Sequence, residues 1–293
     1  MIERVENIDV AAPAYLAGLN ACFPGWGDER MFDWCFRRRV GGPAADLYVA
    51  AEQGRLVAGC ALTYRRVRRA GGETELMGCI TGAWTLPEAR GRGLFARLAD
   101  RLSDRARDKG IPLVGAWGAA GNASYSTMVR RSDPVIEAAF LTSAGGDPGP
   151  PGNLVGGDEA SEAFAARTYP TRTAHIVYEA DDWRGQMLDR PAPCEAVRLA
   201  SGHWAAVERR DDVDRLLDVT ADGPADFIAA VDSAAGASHA RGRKLSVYSI
   251  DPSVILALAM RGYERIDACF YLEGVLGPPP ADEPWTIANG DRM

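Results

Sequence analysis

Thr85-Leu-Pro-Glu-Ala-Arg-Gly-Arg-Gly-Leu-Phe95 joins a run that reads as a strand, 73–86, to one that reads as an amphipathic helix, 92–109. Two glycines let a backbone approach a ligand without interference from Cβ atoms. The unpaired N–H groups of a first helical turn point at whatever sits there, and the helix dipole favours an anion. Arg90 and Arg92 place two permanent positive charges beside those donors. Together these features predict a pyrophosphate-binding turn rather than a plain helix entry. No Gly-Lys-Ser/Thr follows, so this is not a Walker loop, and the glycine spacing departs from Gly-x-Gly-x-x-Gly.

The surrounding pattern supports a strand–loop–helix setting. Leu94, Leu98 and Leu102 share one helical face with Phe95 and Ala99, while Arg101, Asp104, Arg105 and Asp108 point away. Gly110 ends the helix. Upstream, helices are expected near 11–21 and 28–40 and strands near 46–52, 55–64 and 74–86, with hairpin chemistry at Gln53-Gly-Arg55 and Arg68-Arg-Ala-Gly-Gly72. Downstream come a strand near 112–117, a helix near 122–131 and a strand near 135–142. Antiparallel strands followed by strand–helix–strand predict an α/β (α+β) fold around a mixed sheet.

Composition bounds the partners. The 293 residues are 47% hydrophobic and 25% charged, which fits a globular chain and excludes intrinsic disorder. No uncharged run approaches the roughly 18–20 apolar residues that span a bilayer. The opening MIERVENIDV mixes charge and bulk unlike a secretory signal, so a cytoplasmic protein without a membrane partner is expected. Six cysteines without a Cys-x-x-Cys pair read as free thiols, and three scattered histidines give no metal-ligand spacing. Residues 1–150 hold 19 basic and 17 acidic side chains, whereas 151–293 hold 14 and 23. A nucleic-acid binder normally shows the opposite field.

The stretch Ala144-Gly-Gly-Asp-Pro-Gly-Pro-Pro-Gly-Asn-Leu-Val-Gly-Gly157 reads as an inter-domain linker. It divides residues 1–143 from 158–276, and Gly277-Pro-Pro-Pro280 opens a tail, 277–293. The second half echoes the first. Trp204-Ala-Ala-Val-Glu208 follows Tyr48-Val-Ala-Ala-Glu52 at an offset of 156, and Arg241-Gly-Arg-Lys-Leu-Ser246 follows Lys109-Gly-Ile-Pro-Leu-Val114 at 132. A duplication with a 24-residue loss, about one hairpin, accounts for both offsets.

Pro87-Glu-Ala-Arg-Gly-Arg-Gly-Leu-Phe95 resembles the coenzyme A loop of the GNAT superfamily, the acyl-CoA-dependent N-acyltransferases, whose pattern is Arg/Gln-x-x-Gly-x-Gly/Ala after a strand. Arg90 and Gly93 match, and Phe95 departs at the last position. The resemblance covers about residues 1–143 and includes Trp34-Cys-Phe-Arg37 and Asn122-Ala-Ser124. It implies acetyl-CoA or another acyl-CoA as co-substrate and no metal. It also implies backbone groups of Thr85 and Leu86 for the pantetheine arm, amides of Gly91, Arg92, Gly93, Leu94 and Phe95 for the pyrophosphate, and Asn122 near the thioester. The second half is similar to a degenerate copy. Asp182-Trp-Arg184 and Ala259-Met-Arg-Gly-Tyr263 fit the family, but Thr220-Ala-Asp-Gly-Pro-Ala225 stands where the loop belongs, without arginine and with a repelling aspartate.

Amide formation from a thioester needs a neutral amine, a polarised carbonyl and a proton for the leaving thiolate. Family members often supply that proton from a tyrosine seven residues after the asparagine; here Val129 stands there. Tyr125, one turn earlier on the same face, is the nominated replacement, with Ser124 or Ser126 beside it. Glu75 is the only carboxylate on the strand before the loop, so it is the candidate base, although it stands at the hairpin end. Arg65, Arg66, Arg68 and Arg69 are candidates for a coenzyme A phosphate or simply a solvated turn. The resemblance implies an N-acyltransferase, most simply an N-acetyltransferase, acting on a small and perhaps cationic amine. The alternative is an acyl-CoA-binding or regulatory module without turnover.

Overall fold

The computed structural model describes residues 1–150, 152–169, 173–279 and 282–292. The first half runs β1 (Ile2–Arg4), α1 (Ile8–Cys22), α2 (Glu29–Phe32), β2 (Asp46–Glu52), β3 (Arg55–Arg68), β4 (Thr74–Thr85), α3 (Leu94–Asp108), β5 (Leu113–Ala119), α4 (Tyr125–Arg131) and β6 (Val135–Thr142). The second runs β7 (Asn153–Leu154), α5 (Gly157–Ala165), β8 (Ala174–Val177), α6 (Ala180–Met187), β9 (Cys194–Arg198), β10 (Trp204–Arg210), β11 (Val213–Val219), α7 (Pro224–His239), β12 (Lys244–Ser249), α8 (Pro252–Met260), β13 (Glu264–Gly274) and β14 (Trp285–Thr286).

Local chemistry sets these boundaries. The β2–β3 hairpin turns on Gln53 and Gly54, both at positive φ (49° and 79°), as a tight two-residue hairpin requires. Asn7 caps α1 by accepting from the Asp9 and Val10 amides. The helix expected over 28–40 is short. α2 gives way to a π-helical turn, Asp33–Arg37, and the backbone is extended at Arg38. Tertiary docking outweighs helix continuation there, because the Trp34 indole and the Arg38 guanidinium both donate to the Gly185 carbonyl. In α3 the buried residues are Leu94, Leu98, Ala99, Leu102, Ser103 and Ala106, the expected stripe. Each buried leucine contributes about 1.5–3 kcal/mol against exposure.

One mixed sheet runs through both halves in the order β1-β2-β3-β4-β5-β13-β6-β12-β11-β10-β9-β7. β4 and β5 are parallel, as are β11 and β12, and the strands between them are antiparallel. The last strand of each half therefore lies beside the other half's fifth-type strand: β13 against β5, and β6 against β12. The halves share a sheet rather than building one each. The second has β7, β9, β10 and β11 where the first has β1–β4, so the hairpin loss that the shortened repeat predicts does not occur. Instead the strands are shorter, 7 residues each in β10 and β11 against 14 and 12 in β3 and β4. α3 and α4 pack on the same sheet face as α7 and α8.

Two segments set apart in the sequence are built into this body. Within 144–157, Gly149 donates to the Gly236 carbonyl at 2.9 Å, β7 pairs with β9, and α5 begins at Gly157. Within 277–293, β14 pairs with β8, and Asn289 and Asp291 are buried beneath α6 and β11. All six cysteines are unpaired.

Candidate functional site

β4 and β5 are hydrogen-bonded only over Met77–Ile80 and Leu113–Ala116. Beyond that β4 continues to Thr85 and β5 to Ala119 with no ladder between them, so the sheet opens into a wedge. A bulge turns β4 there: its register against β3 shifts between Gly59 and Ala61, and Gly82 takes φ +56°. A Cβ at Gly82 would lie 2.6 Å from the Phe36 ring, so glycine is required on both counts. Tyr15 fixes the bulge by donating to the Gly82 carbonyl at 3.0 Å.

The loop above the wedge is an open donor cradle. Gly91 and Gly93 sit at φ +76° and +67°, and nothing lies within 4 Å of a Cβ built at either. The first backbone bond after the turn is Arg97 N–H to Gly93 O at 3.1 Å. The amides from Gly91 through Phe95 to Ala96 therefore have no acceptor among the described residues, and α3 begins without a side-chain cap. Six clustered donors at a helix N-terminus suit an anion. Arg90 holds the Thr85 carbonyl through Nε at 3.2 Å. Arg92 lies sideways, paired with Glu52 at 2.9 Å and donating to Glu88 O. Leu86 departs from its expected role, because its N–H is spent on Val57 O at 2.9 Å and its carbonyl accepts from Ala89.

At the mouth of the wedge, Asn122 follows β5 in a tight turn, with its carbonyl accepting from the Tyr125 amide. A Cβ at Gly118 would stand 3.2 Å from the Tyr271 ring and 3.8 Å from both the Tyr271 hydroxyl and Asn122 Nδ2. Tyr271 comes from β13, opposite Ala116, and is 2% exposed. Its hydroxyl is buried with no partner among the described residues other than the weakly bonding Cys269 thiol. Burial pushes that phenol's pKa up, and Cys269 beside it adds to the rise. Nothing in the repeat pattern shows that a strand from the second half lines this wedge, so Tyr271 was not foreseen. Its only trace in the sequence is a place in the alternating run of β13.

The other nominees are distributed less favourably. Tyr125 is 37% exposed and leans edge-on against Tyr271, while Ser124 opens α4 without a side-chain cap bond. Val129 lies on the exposed side of α4. Glu75 is a correction. It sits ten residues before Thr85, roughly 30 Å along the strand, and is paired with Arg69 at 2.6 Å. Three of that arginine group face protein: Arg69 also pairs with Glu283, Arg66 pairs with Glu179, and the buried Arg65 donates to the Tyr64 carbonyl, while Arg68 is exposed. An overlooked carboxylate lies nearer. Glu137 on β6 is exposed, has no ion-pair partner among the described residues, and shares the row Gly118–Cys269–Glu137, roughly 10 Å from Gly118. Cys60 and Cys79, near the wedge, are pushed up to about 12 by burial and are poor nucleophiles.

Residues 11–128 match the family model for an acetyltransferase (GNAT) domain. The first half is a GNAT domain. No curated protein matches the sequence. Among solved structures, yeast (Saccharomyces cerevisiae) N-myristoyltransferase with bound myristoyl-CoA is similar at TM-score 0.65 and 9% identity, covering 93% of this chain and 82% of its own. Eis1 from Mycobacterium abscessus gives 0.58 and 14%, covering 94% and 74%. A GCN5-related N-acetyltransferase from Kribbella flavida gives 0.57 and 14%, covering 92% and 70%. At such identities the likeness is one of fold, and it extends over both halves of the chain. No helix among the described residues is long and apolar enough to cross a membrane.

Proposed function

We propose that this GNAT protein is an N-acyltransferase, most simply an N-acetyltransferase, that passes an acyl group from acyl-CoA directly to a primary amine of a small, cationic metabolite. The observation that carries the reading is the wedge between β4 and β5 beneath six unpartnered amides. The amides of Gly91, Arg92, Gly93, Leu94 and Phe95 hold the pyrophosphate, with Arg90 adding charge. Thr85 at the end of β4 and Asn122 after β5 flank the pantetheine arm. The yeast enzyme of similar fold carries its myristoyl-CoA, which supports an acyl-CoA here.

The neutral amine attacks the thioester carbonyl, the C–N bond forms, and the C–S bond breaks as the carbonyl reforms. The departing thiolate takes a proton from Tyr271, whose raised pKa keeps it protonated at neutral pH; Tyr125 is the neighbouring second donor and Ser124 a third. Glu137 receives the proton lost by the ammonium, through water across the row to Gly118. Raised thiol pKa values at Cys60 and Cys79 favour direct transfer over an acyl-cysteine. The chain divides into two GNAT-like units, 1–143 and 158–276, joined by 144–157 and followed by a tail, 277–293. Free cysteines suit a reducing cytoplasm.

Mass spectrometry of a small-amine panel incubated with acetyl-CoA tests this. An acetylated amine is expected. Tight acetyl-CoA binding with no product from any amine favours a binding module instead.

A further inference from the structure

The second half repeats the wedge. β11 and β12 pair over Val213–Arg215 and Lys244–Ser246 and then part, as β4 and β5 do. Here the cleft is partly filled by the chain's own C-terminal segment: Asn289 Nδ2 donates to the Leu216 carbonyl at 3.0 Å. A backbone carbonyl that an extended ligand arm would use is thus occupied. Pro224 opens α7 and removes one of its donors, and Asp222 stands before it. A pyrophosphate is disfavoured on each count.

A cavity of about 180 Å³ remains. Its apolar walls include Phe227, Val254 and Trp285. Tyr248 also lines it, is 3% exposed, and has a buried hydroxyl with no partner among the described residues. Arg167 uses one terminal nitrogen on Asp218 and the Val219 carbonyl and the other on the Tyr169 hydroxyl, but its Nε is buried with no acceptor among the described residues. Two desolvated donors on residues that line one cavity, with no acceptor among the described residues, call for one from a ligand. At the mouth, the exposed Asp222 carboxylate has no ion-pair partner among the described residues. Asp251, by contrast, is spent on capping α8.

We propose that the cleft between β11 and β12 is a second small-molecule site, taking an organic ammonium ion with an apolar body and an oxygen acceptor between the two. The apolar body fills the space between Phe227, Val254 and Trp285. The oxygen accepts from Tyr248 and Arg167, and the ammonium group meets Asp222. The site stands on this geometry alone and does not depend on acyl transfer in the first half.

Calorimetric titration of the full chain with 2-phenoxyethylamine tests it, beside phenoxyacetate as the anionic isostere and 3-phenylpropylamine as the one lacking oxygen. The amine ether is expected to bind one per chain, about tenfold or more tighter than phenoxyacetate. Asp222→Asn lowers its affinity several-fold. Tyr248→Phe, which keeps the ring, removes its advantage over 3-phenylpropylamine. Ala221→Trp on the partly exposed rim blocks binding while acetyl-CoA affinity stays unchanged. Three outcomes overturn the site: no heat at about 10 mM amine, equal binding of amine and carboxylate, or an affinity indifferent to both Tyr248→Phe and Ala221→Trp.

Discussion

The ring of Tyr125 stands edge-on against that of Tyr271, with centroids 6.4 Å apart and planes at 70°. One ring comes from the helix after β5 and the other from the last long strand of the second half, so both halves supply the mouth of the wedge. The two phenols differ in setting. Tyr271 is buried, its hydroxyl meeting only the Cys269 thiol among the described residues, while Tyr125 is more than one-third exposed.

That difference separates their roles. Tyr271→Phe keeps the ring and removes the proton source, so kcat is expected to fall by roughly 10²–10⁴ with KM for acetyl-CoA little changed. Tyr125→Phe costs less than tenfold on the same scale. Because burial raises the Tyr271 pKa, its acid form persists to higher pH than an ordinary tyrosine's, which ionises near about 10. The kcat–pH profile of the native chain therefore shows no alkaline fall below about pH 10. A fall centred near pH 8, or a normal kcat in Tyr271→Phe, removes this residue from the chemistry.

Gly93→Asp tests the cradle. The position is at φ +67° with open space beyond it, so the new side chain strains the turn modestly and points a negative charge into the anion site. Losing a charge-assisted contact and adding repulsion predicts about a hundredfold weaker coenzyme A binding in a folded protein. Titration calorimetry with circular dichroism as the folding control measures both. Unchanged affinity places the cofactor elsewhere.

Coenzyme A stoichiometry distinguishes the two wedges. With Asn289 on the Leu216 carbonyl and Asp222 before α7, the second cleft has no equivalent cradle. One coenzyme A per chain is expected by calorimetry, and two show that the second loop still binds.

Asp291 makes a pH prediction. It is buried at the C-terminal end of the fold, and desolvation, reinforced by Asp218, lifts its carboxyl to about 7. An unfolded aspartate ionises near about 3.9, so between these values the folded chain holds a proton that the unfolded chain releases. The resulting stabilisation is full below about pH 4 and is lost as pH rises through about 7. Asp291→Asn has no charge to bury. Its melting temperature should decline less across pH 5–8 than the native chain's and exceed it at pH 8, on the order of 5 °C. Parallel melting curves for the two proteins across that range contradict the assignment.

The sequence revealed what depends on local chemistry. Gly91 and Gly93 before an amphipathic stripe announced the strand–loop–helix, and the echoes at Trp204 and Arg241 pointed to a second, shorter half. Long-range placement was hidden. No periodicity tells that β13 inserts between β5 and β6, so Tyr271 and Glu137 went unseen. Glu75 misled because a strand reads the same from either end, and only the pairing of β4 with β5 shows which end opens. The 144–157 segment looks like a spacer by composition, yet its glycines serve close packing, as where Gly149 meets Gly236.

The central claim, amine-dependent cleavage of a bound thioester, is tested most directly by following free thiol while acetyl-CoA and a panel of small primary amines are supplied to the full chain. The account predicts thiol release above the amine-free rate with at least one amine, matched by acetylated product, abolished by Gly93→Asp and slowed at least a hundredfold by Tyr271→Phe. Saturable acetyl-CoA binding with thiol release that no amine accelerates would contradict it.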